Sequence, residues 1–305
     1  MKFSFSKYIW FDGKLMPLNL AKIPVTTHAM HYGTSIFEGV RAYWNSKNLY
    51  VFRLRDHVKR FRNSGKFYNI TLNFSDRKIE NAVTDLCRKN KIKKSCYIRP
   101  FYFVGQYGIN LHVTQKAPTH TAIFSFPFGD LFNKNGITAT ISKWRKFSDI
   151  STPTQAKMGG NYLNSILATQ DAKEKGFDEA ILLDQSGNVS EAPGENIFLV
   201  KNNQLITPSL SSSALDGITR RSIITLAKDM KLKVKIQKVS KKELKAADEI
   251  FLSGTAAEIT PIIKIDKKTV GNGKVGNITK LCMDTYSDIV MNKNENYSSW
   301  LTAVY

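Results

Sequence analysis

Between Phe128 and Ile137 the chain runs through GDLFNKNG, where two glycines, two asparagines and an aspartate leave few apolar residues. Such a stretch reads as a connection, and it divides the 305 residues into a first domain over 1–128, a linker over 129–136 and a second domain over 137–305. With 42% hydrophobic and 11% aromatic content, both halves have the material for a buried core.

Local patterns then set the type of each half. In the first, LYVFR (49–53) has strand composition and DHVKRFRNSGKFY after it reads as a helix. Ser75 is placed to cap the next helix, in which Ile79, Ala82, Val83, Leu86 and Cys87 recur at the spacing of one helical face. CYIRPFYFV (96–104) and HTAIFSFPF (120–128) are aromatic-rich strands, so this half is expected to be α+β. In the second half ITATISKW is a strand and NYLNSILATQDAKEKG a helix closed by Gly176. DEAILLD and ENIFLVKNNQLITP follow as strands with turns at Gln-Ser-Gly-Asn and Asn-Asn, and GITRRSIITLAKDMK is a helix. SKKE (240–243) is a capping-box pattern, EIFLSG a strand, and NITKLCMDTYSDIVM a final helix.

The formal charge of +20 is the one bulk property that would suit a polyanion. Its lysines and arginines are spread over many segments, in runs such as KKELKAAD and RKNKIKK that read as solvated faces, and no nucleic-acid-binding motif accompanies them. No nucleic-acid partner is therefore expected. Nor is a membrane partner, because no apolar run is long enough to span a bilayer and MKFSFSKYIWFDGK carries no continuous apolar signal segment. The expected compartment is the cytoplasm. Cys87, Cys96 and Cys282 are widely spaced, without a CxxC pair or a Cys/His cluster, so neither disulfides nor a metal is expected.

Four short stretches carry chemistry. In TPTQAKMGGNY (152–162) Lys157 stands among small residues and glycines without another charge. A lysine so placed is either a surface loop residue or, when desolvated, a neutral amine able to condense with an aldehyde. In VSEAPGENIF (189–198) Glu191 precedes a strand, as a turn residue or as a carboxylate able to keep a ring nitrogen protonated. In LDGITRRSII (215–224) a glycine opens a helix whose first N–H groups, at Ile218 and Thr219, with the Thr219 hydroxyl, would suit a phosphate. SGTAAEITP (253–261) follows a strand with small residues whose amides could reach a second anion.

Taken together, YIWFDGK, HYGTSIFEGVRAY, YIRP, AKMGGNYLNS, SEAPGENIF, SSALDGITR and SGTAAEITP follow one another in an order that resembles the branched-chain amino-acid aminotransferases, within the class IV pyridoxal-phosphate-dependent family. The resemblance covers most of the chain. It implies an α/β protein, a smaller α+β domain followed by a larger α/β domain that carries most cofactor ligands, with the cofactor in the interdomain cleft. The implied activity is transamination of leucine, isoleucine and valine with 2-oxoglutarate, giving branched 2-oxo acids and L-glutamate. D-amino-acid or amine transaminases and aminodeoxychorismate lyases share the cofactor set and stay open as alternatives; the YxR strand and GTAAE favour the branched-chain branch.

Roles follow from the resemblance. Lys157 would carry pyridoxal 5'-phosphate as a Schiff base and then move the proton during turnover. Glu191 would pair with the pyridine nitrogen and Tyr162 with the phenolic oxygen, while Arg60, Ile218, Thr219 and Thr255 would hold the phosphate. Tyr97, with the N–H groups of Thr255 and Ala256, would bind the α-carboxylate, and Arg99 the distal carboxylate of glutamate or 2-oxoglutarate. Tyr97 and Arg99 share a strand face by alternation. Tyr32, Phe37, Tyr162 and Phe128 would form the apolar wall, with Ile109 and Leu111 reaching in from a partner subunit. A homodimer is thus the implied minimum, with a trimer of dimers left open. Phe128 and Leu131 depart from well-known bacterial members, which carry tryptophan and tyrosine there, so the preference among branched-chain and aromatic substrates is left open.

Overall fold

The computed structural model describes residues 4–305. Its contacts divide the chain into two units. The first runs to Gly129 and adds Ala156–Gly160 and Asp288–Tyr305; the second comprises Asp130–Gln155 and Asn161–Ser287. The first break thus falls at the glycine that opens the expected linker. Two stretches that the sequence assigned to the second domain, the segment around Lys157 and the C-terminal tail, pack with the first unit instead, because each is fixed by pairing to that unit's strands and helix.

The first unit is built on an antiparallel sheet of β1 (Tyr8–Phe11), β2 (Lys14–Pro17), β3 (Ser35–Phe37), β4 (Val40–Trp44), β5 (Leu49–Phe52), β6 (Cys96–Val104) and β7 (Thr119–Pro127). The tail strand Leu301–Ala303 pairs with β5 and closes that edge. Short α1 (His28–Tyr32) precedes β3, and α2 (Leu54–Lys66) and α3 (Asp76–Lys89) lie between β5 and β6. Ser75 caps α3 as expected, its hydroxyl accepting from Lys78 N–H at 3.3 Å, and the five apolar residues of the predicted face are all buried. Each large aliphatic one contributes roughly 1.5–3 kcal/mol by leaving water. Strand β6 shows why the site lies on one side of this sheet. Ile98, Tyr102 and Val104 pack into the core with Val58 and Phe61 of α2, which turns Tyr97, Arg99 and Phe101 to the opposite face.

The second unit has a mixed sheet in the order β12 (Lys233–Gln237), β11 (Gln204–Pro208), β10 (Asn196–Lys201), β13 (Glu249–Gly254), β14 (Glu258–Ile265), β8 (Ile137–Arg145), β9 (Glu179–Leu183). Parallel pairs need long crossovers, and here helices supply them: α4 (Tyr162–Glu174) between β8 and β9, α5 (Ile218–Asp229) between β11 and β12. Asn202 and Asn203 both adopt positive φ, 48° and 56°, the tight hairpin turn between β10 and β11 that the Asn-Asn pair announces. The Ser240–Glu243 capping box opens α6 (Lys241–Lys245), and α7 (Asn277–Val290) is the expected last helix. No helix among the described residues is long and apolar enough to cross a membrane.

Candidate active site

In the first unit most of the predicted residues gather on the face of β6 turned away from the core and on α2. The segment 156–160 is laid down as an extra edge: Ile36 and Met158 form an antiparallel bridge, Phe37 N–H donates to the Lys157 carbonyl at 3.1 Å, and Lys157 N–H donates to Ser64 Oγ of α2 at 3.0 Å. Glycines make this approach possible. A Cβ on Gly159 would stand 2.3 Å from Ser35 Oγ, and one on Gly33 would stand 3.1 Å from Gly160 Cα. Lys157 is half-buried, with Nζ 4.9 Å from the centre of the Phe37 ring. Burial, and next the charge of Arg60, push its ammonium from 10.5 down to about 8 against the pull of Glu38.

Arg60 stands one helical turn before Ser64. Its Nε and Nη2 donate to Glu38 Oε1 and Oε2 at 2.6 and 2.9 Å, and His57 Nδ1 lies 2.7 Å from Glu38 Oε2. Burial alone would raise the Glu38 carboxyl, yet Arg60 and His57 hold it well below the usual carboxylate range. Burial lowers the His57 imidazole despite Glu38, with Arg60 and Lys157 adding to that effect. Neither Glu38 nor His57 was singled out from sequence. The available signal was that Glu38 is the only carboxylate between Asp12 and Asp56, set directly after Phe37.

Tyr97 and Arg99 share a face as alternation requires: Arg99 Nη2 donates to Tyr97 Oη at 3.2 Å. The guanidinium also lies over Phe37 and Tyr97, 4.6 and 5.3 Å from their ring centres, and its buried Nε has no hydrogen-bond partner among the described residues. Gly39 makes room for Tyr97, since a Cβ there would lie 1.8 Å from Oη. Phe128 packs against Tyr97 at 5.4 Å and under the Arg41 guanidinium at 5.2 Å. Tyr32 is grouped elsewhere. Its hydroxyl donates to the Ile109 carbonyl at 3.3 Å, in company with the loop that carries Ile109 and Leu111, which are 82% and 75% exposed.

The second unit holds the other predicted group. Glu191 is buried, and its Oε2 accepts from Asn196 Nδ2 at 3.2 Å and Leu215 N–H at 2.9 Å. Its Oε1 lies 2.7 Å from Lys146 Nζ. Lys146 went unremarked in the sequence, where it is one basic residue among several in KWRKF. Asn196 also donates to the Leu215 carbonyl at 2.8 Å, so the carboxylate and the loop leading into α5 form one knot. Gln155 grips the same loop through Ala214 O and Asp216 N–H. At its end Gly217 is the N-cap of α5 with no side-chain cap, and a Cβ there would stand 2.0 Å from Asn196 Oδ1. The uncapped helix start, Ile218 and Thr219, is buried and suited to an anion. Thr255 and Ala256 occupy the turn between β13 and β14, half-exposed, and Tyr162 opens α4, also half-buried.

The comparisons with known proteins agree with one another. The amino-transferase class IV family matches residues 35–265. The branched-chain-amino-acid aminotransferase of Escherichia coli K12 is 42% identical over 301 residues, 97% of each chain. Among solved structures, the branched-chain aminotransferase of the thermophilic archaeon Thermoproteus uzoniensis with norvaline superposes with a TM-score of 0.95 at 41% identity, covering 98% of this chain and 100% of that one. The branched-chain amino acid aminotransferase of Thermobaculum terrenum in PLP-form gives 0.94 at 33% identity, covering 99% of this chain and 99% of its own.

Proposed function

The chain belongs to the amino-transferase class IV family, and on that premise we propose that it is a pyridoxal-phosphate-dependent aminotransferase acting on leucine, isoleucine and valine with 2-oxoglutarate. The observation that carries this is Lys157: an amine fixed through its backbone to β3 and α2, with its ammonium lowered to about 8. Such a group is a nucleophile near neutral pH and can also return a proton.

The surrounding residues suit the cofactor. Pyridoxal phosphate, when bound, supplies an aldehyde for an amine and a protonated ring that withdraws electrons from the substrate's Cα. Glu191 already holds three donors and keeps an acceptor position for a ring N–H. Ile218, Thr219, Thr255 and Arg60 are the phosphate ligands in this proposal, and Tyr162 the donor to the ring oxygen. Lys157 would hold the cofactor through its amine and would move the proton at the substrate's Cα.

Substrate recognition has to accept an apolar side chain and, in the other half-reaction, a carboxylate. The stacking of Arg99 on Phe37 and Tyr97 supports both, because aromatic faces and guanidinium edge are presented side by side. Tyr97, with Thr255 and Ala256 N–H, takes the α-carboxylate; Arg99 takes the distal one; Phe37, Phe128 and Tyr162 are the apolar wall. Tyr32 is assigned with Ile109 and Leu111 to the loop that serves a partner's site. A homodimer at minimum is supported by apolar side chains left exposed in the first unit (Val25, Met30, Ile109, Leu111) and on α4 of the second (Leu163, Ile166, Leu167). The cytoplasm is the proposed compartment.

The test is a visible absorption spectrum of the protein reconstituted with pyridoxal phosphate, followed by L-leucine and then 2-oxoglutarate. A visible band that bleaches with leucine and returns with the keto acid is the expected result. Bleaching only by D-amino acids or amines would move the function to a relative, and no band at all would defeat the catalytic account.

A further inference from the structure

Lys146 has no role in the chemistry described so far, yet it makes the shortest contact to Glu191, with Nζ 2.7 Å from Oε1. Both members of the pair are nearly removed from solvent, their side chains 9% and 7% exposed. Their backbones are fixed to neighbouring residues of one strand: Lys146 N–H donates to Leu183 O at 2.8 Å, and Leu182 N–H donates to Glu191 O at 2.9 Å. Gln185 Nε2 adds a second tether at Lys146 O, 2.7 Å. A buried ion pair is a poor device for stability, since well-packed apolar residues of the same size usually serve as well. Such a pair held from both sides points to a use for its charge.

The distribution of donors on Glu191 indicates the use. Oε2 is filled by two neutral donors, Asn196 and Leu215 N–H, which orient the carboxylate without adding charge. Oε1 carries the cation and has the remaining acceptor position. The charge of Arg220 of α5 also bears on Glu191, and Arg220 is itself engaged with Pro208 O at 3.1 Å and Asp216 at 3.6 Å. We propose that Lys146 is a positioning residue for Glu191: it fixes Oε1 and supplies the counter-charge that holds the carboxylate where it would meet the cofactor's ring nitrogen. With the ammonium in place Oε1 would be held where its remaining acceptor position can meet the ring N–H. This rests on the assignment of Glu191 to that nitrogen.

The experiment compares wild type with Lys146→Met, Lys146→Gln and Lys146→Arg. Its readouts are the dissociation constant of pyridoxal phosphate from titration of the apoprotein, the pH dependence of the bound cofactor's visible absorbance, and the unfolding temperature of each apoprotein. Met and Gln are expected to weaken the cofactor about tenfold, on the scale of one charge-assisted hydrogen bond, and to displace the absorbance titration, while Arg restores both. The Gln variant retains a donor and isolates the charge if Met does not fold. Wild-type affinity and titration in Gln would overturn the proposal, as would a loss in Arg equal to that in Met. A wild-type apoprotein that takes up no pyridoxal phosphate would overturn the assignment of Glu191 and this proposal with it, whereas failure confined to the Lys146 variants leaves that assignment intact.

Discussion

Two charged side chains, Lys157 in the first unit and Glu191 in the second, are surrounded by opposite strategies. Lys157 has its backbone clamped, but its ammonium faces an aromatic ring and the field of Arg60, with burial the largest influence. Glu191 is given three donors, one of them a full positive charge. The contrast teaches how a protein separates reactivity from grip. Denying a cation solvent makes it an available nucleophile, while saturating an anion with donors makes it a fixed electrostatic support. Glu38 belongs with the second kind although it lies beside the first. It takes the counter-charge of Arg60 for itself, so less of its field reaches Lys157.

The comparison can be broken at several points, in order of expected effect. Lys157→Ala should lower turnover by at least ~10³-fold while the protein stays folded; appreciable activity in a steady-state assay would remove Lys157 from its role. Glu38→Gln should cost about 3 kcal/mol in chemical denaturation, because Arg60 is left facing a neutral amide in a buried position. The same variant tests a pH dependence. Glu38 is held below its ordinary value of 4.5, so it stabilises the fold above that pH, and the contribution is lost as pH falls beneath it. Wild type should therefore lose its advantage over Glu38→Gln in acid, and an advantage constant between pH 7 and pH 3 would contradict the ion-pair account.

On the other unit, Gly217→Ala should weaken pyridoxal phosphate roughly tenfold in an apoprotein titration, since its Cβ would displace Asn196 from Glu191 and from the start of α5. Arg99→Leu should raise KM for 2-oxoglutarate about tenfold more than KM for leucine, and equal losses would separate Arg99 from the distal carboxylate. A stability test bears on Lys157 itself. Its folded value near 8 lies below the ordinary 10.5, so Lys157→Met should stabilise the apoprotein below pH 8, with the gain fading as pH rises from 8 toward 10.5. Denaturation midpoints across that range would check the sign.

Much of the fold was legible because local rules agreed with it. Ser75 and the Ile79–Cys87 face of α3, the Asn-Asn turn before β11 and the Ser240 capping box each depend on neighbours within a few residues. The α1 helix and strand β3 were not read, being short and set by tertiary pairing. Of the site, Lys157, Glu191 and the glycine-opened α5 stood out as residue types in unusual company. Glu38, His57 and Lys146 did not, because a buried counter-ion is defined by what faces it, and their partners Arg60 and Glu191 are distant in sequence or carry no spacing signature.

By itself the sequence determined most element types and the chemical identity of the groups available to a cofactor. Only the tertiary structure decided that 156–160 packs with the first unit, that Arg60 shares its guanidinium with Glu38, and that Lys146 is the cation on Glu191. The physical reason is range. Backbone conformation follows from neighbours along the chain, whereas the charge state and reach of a side chain depend on burial and on opposite charges that folding brings from elsewhere.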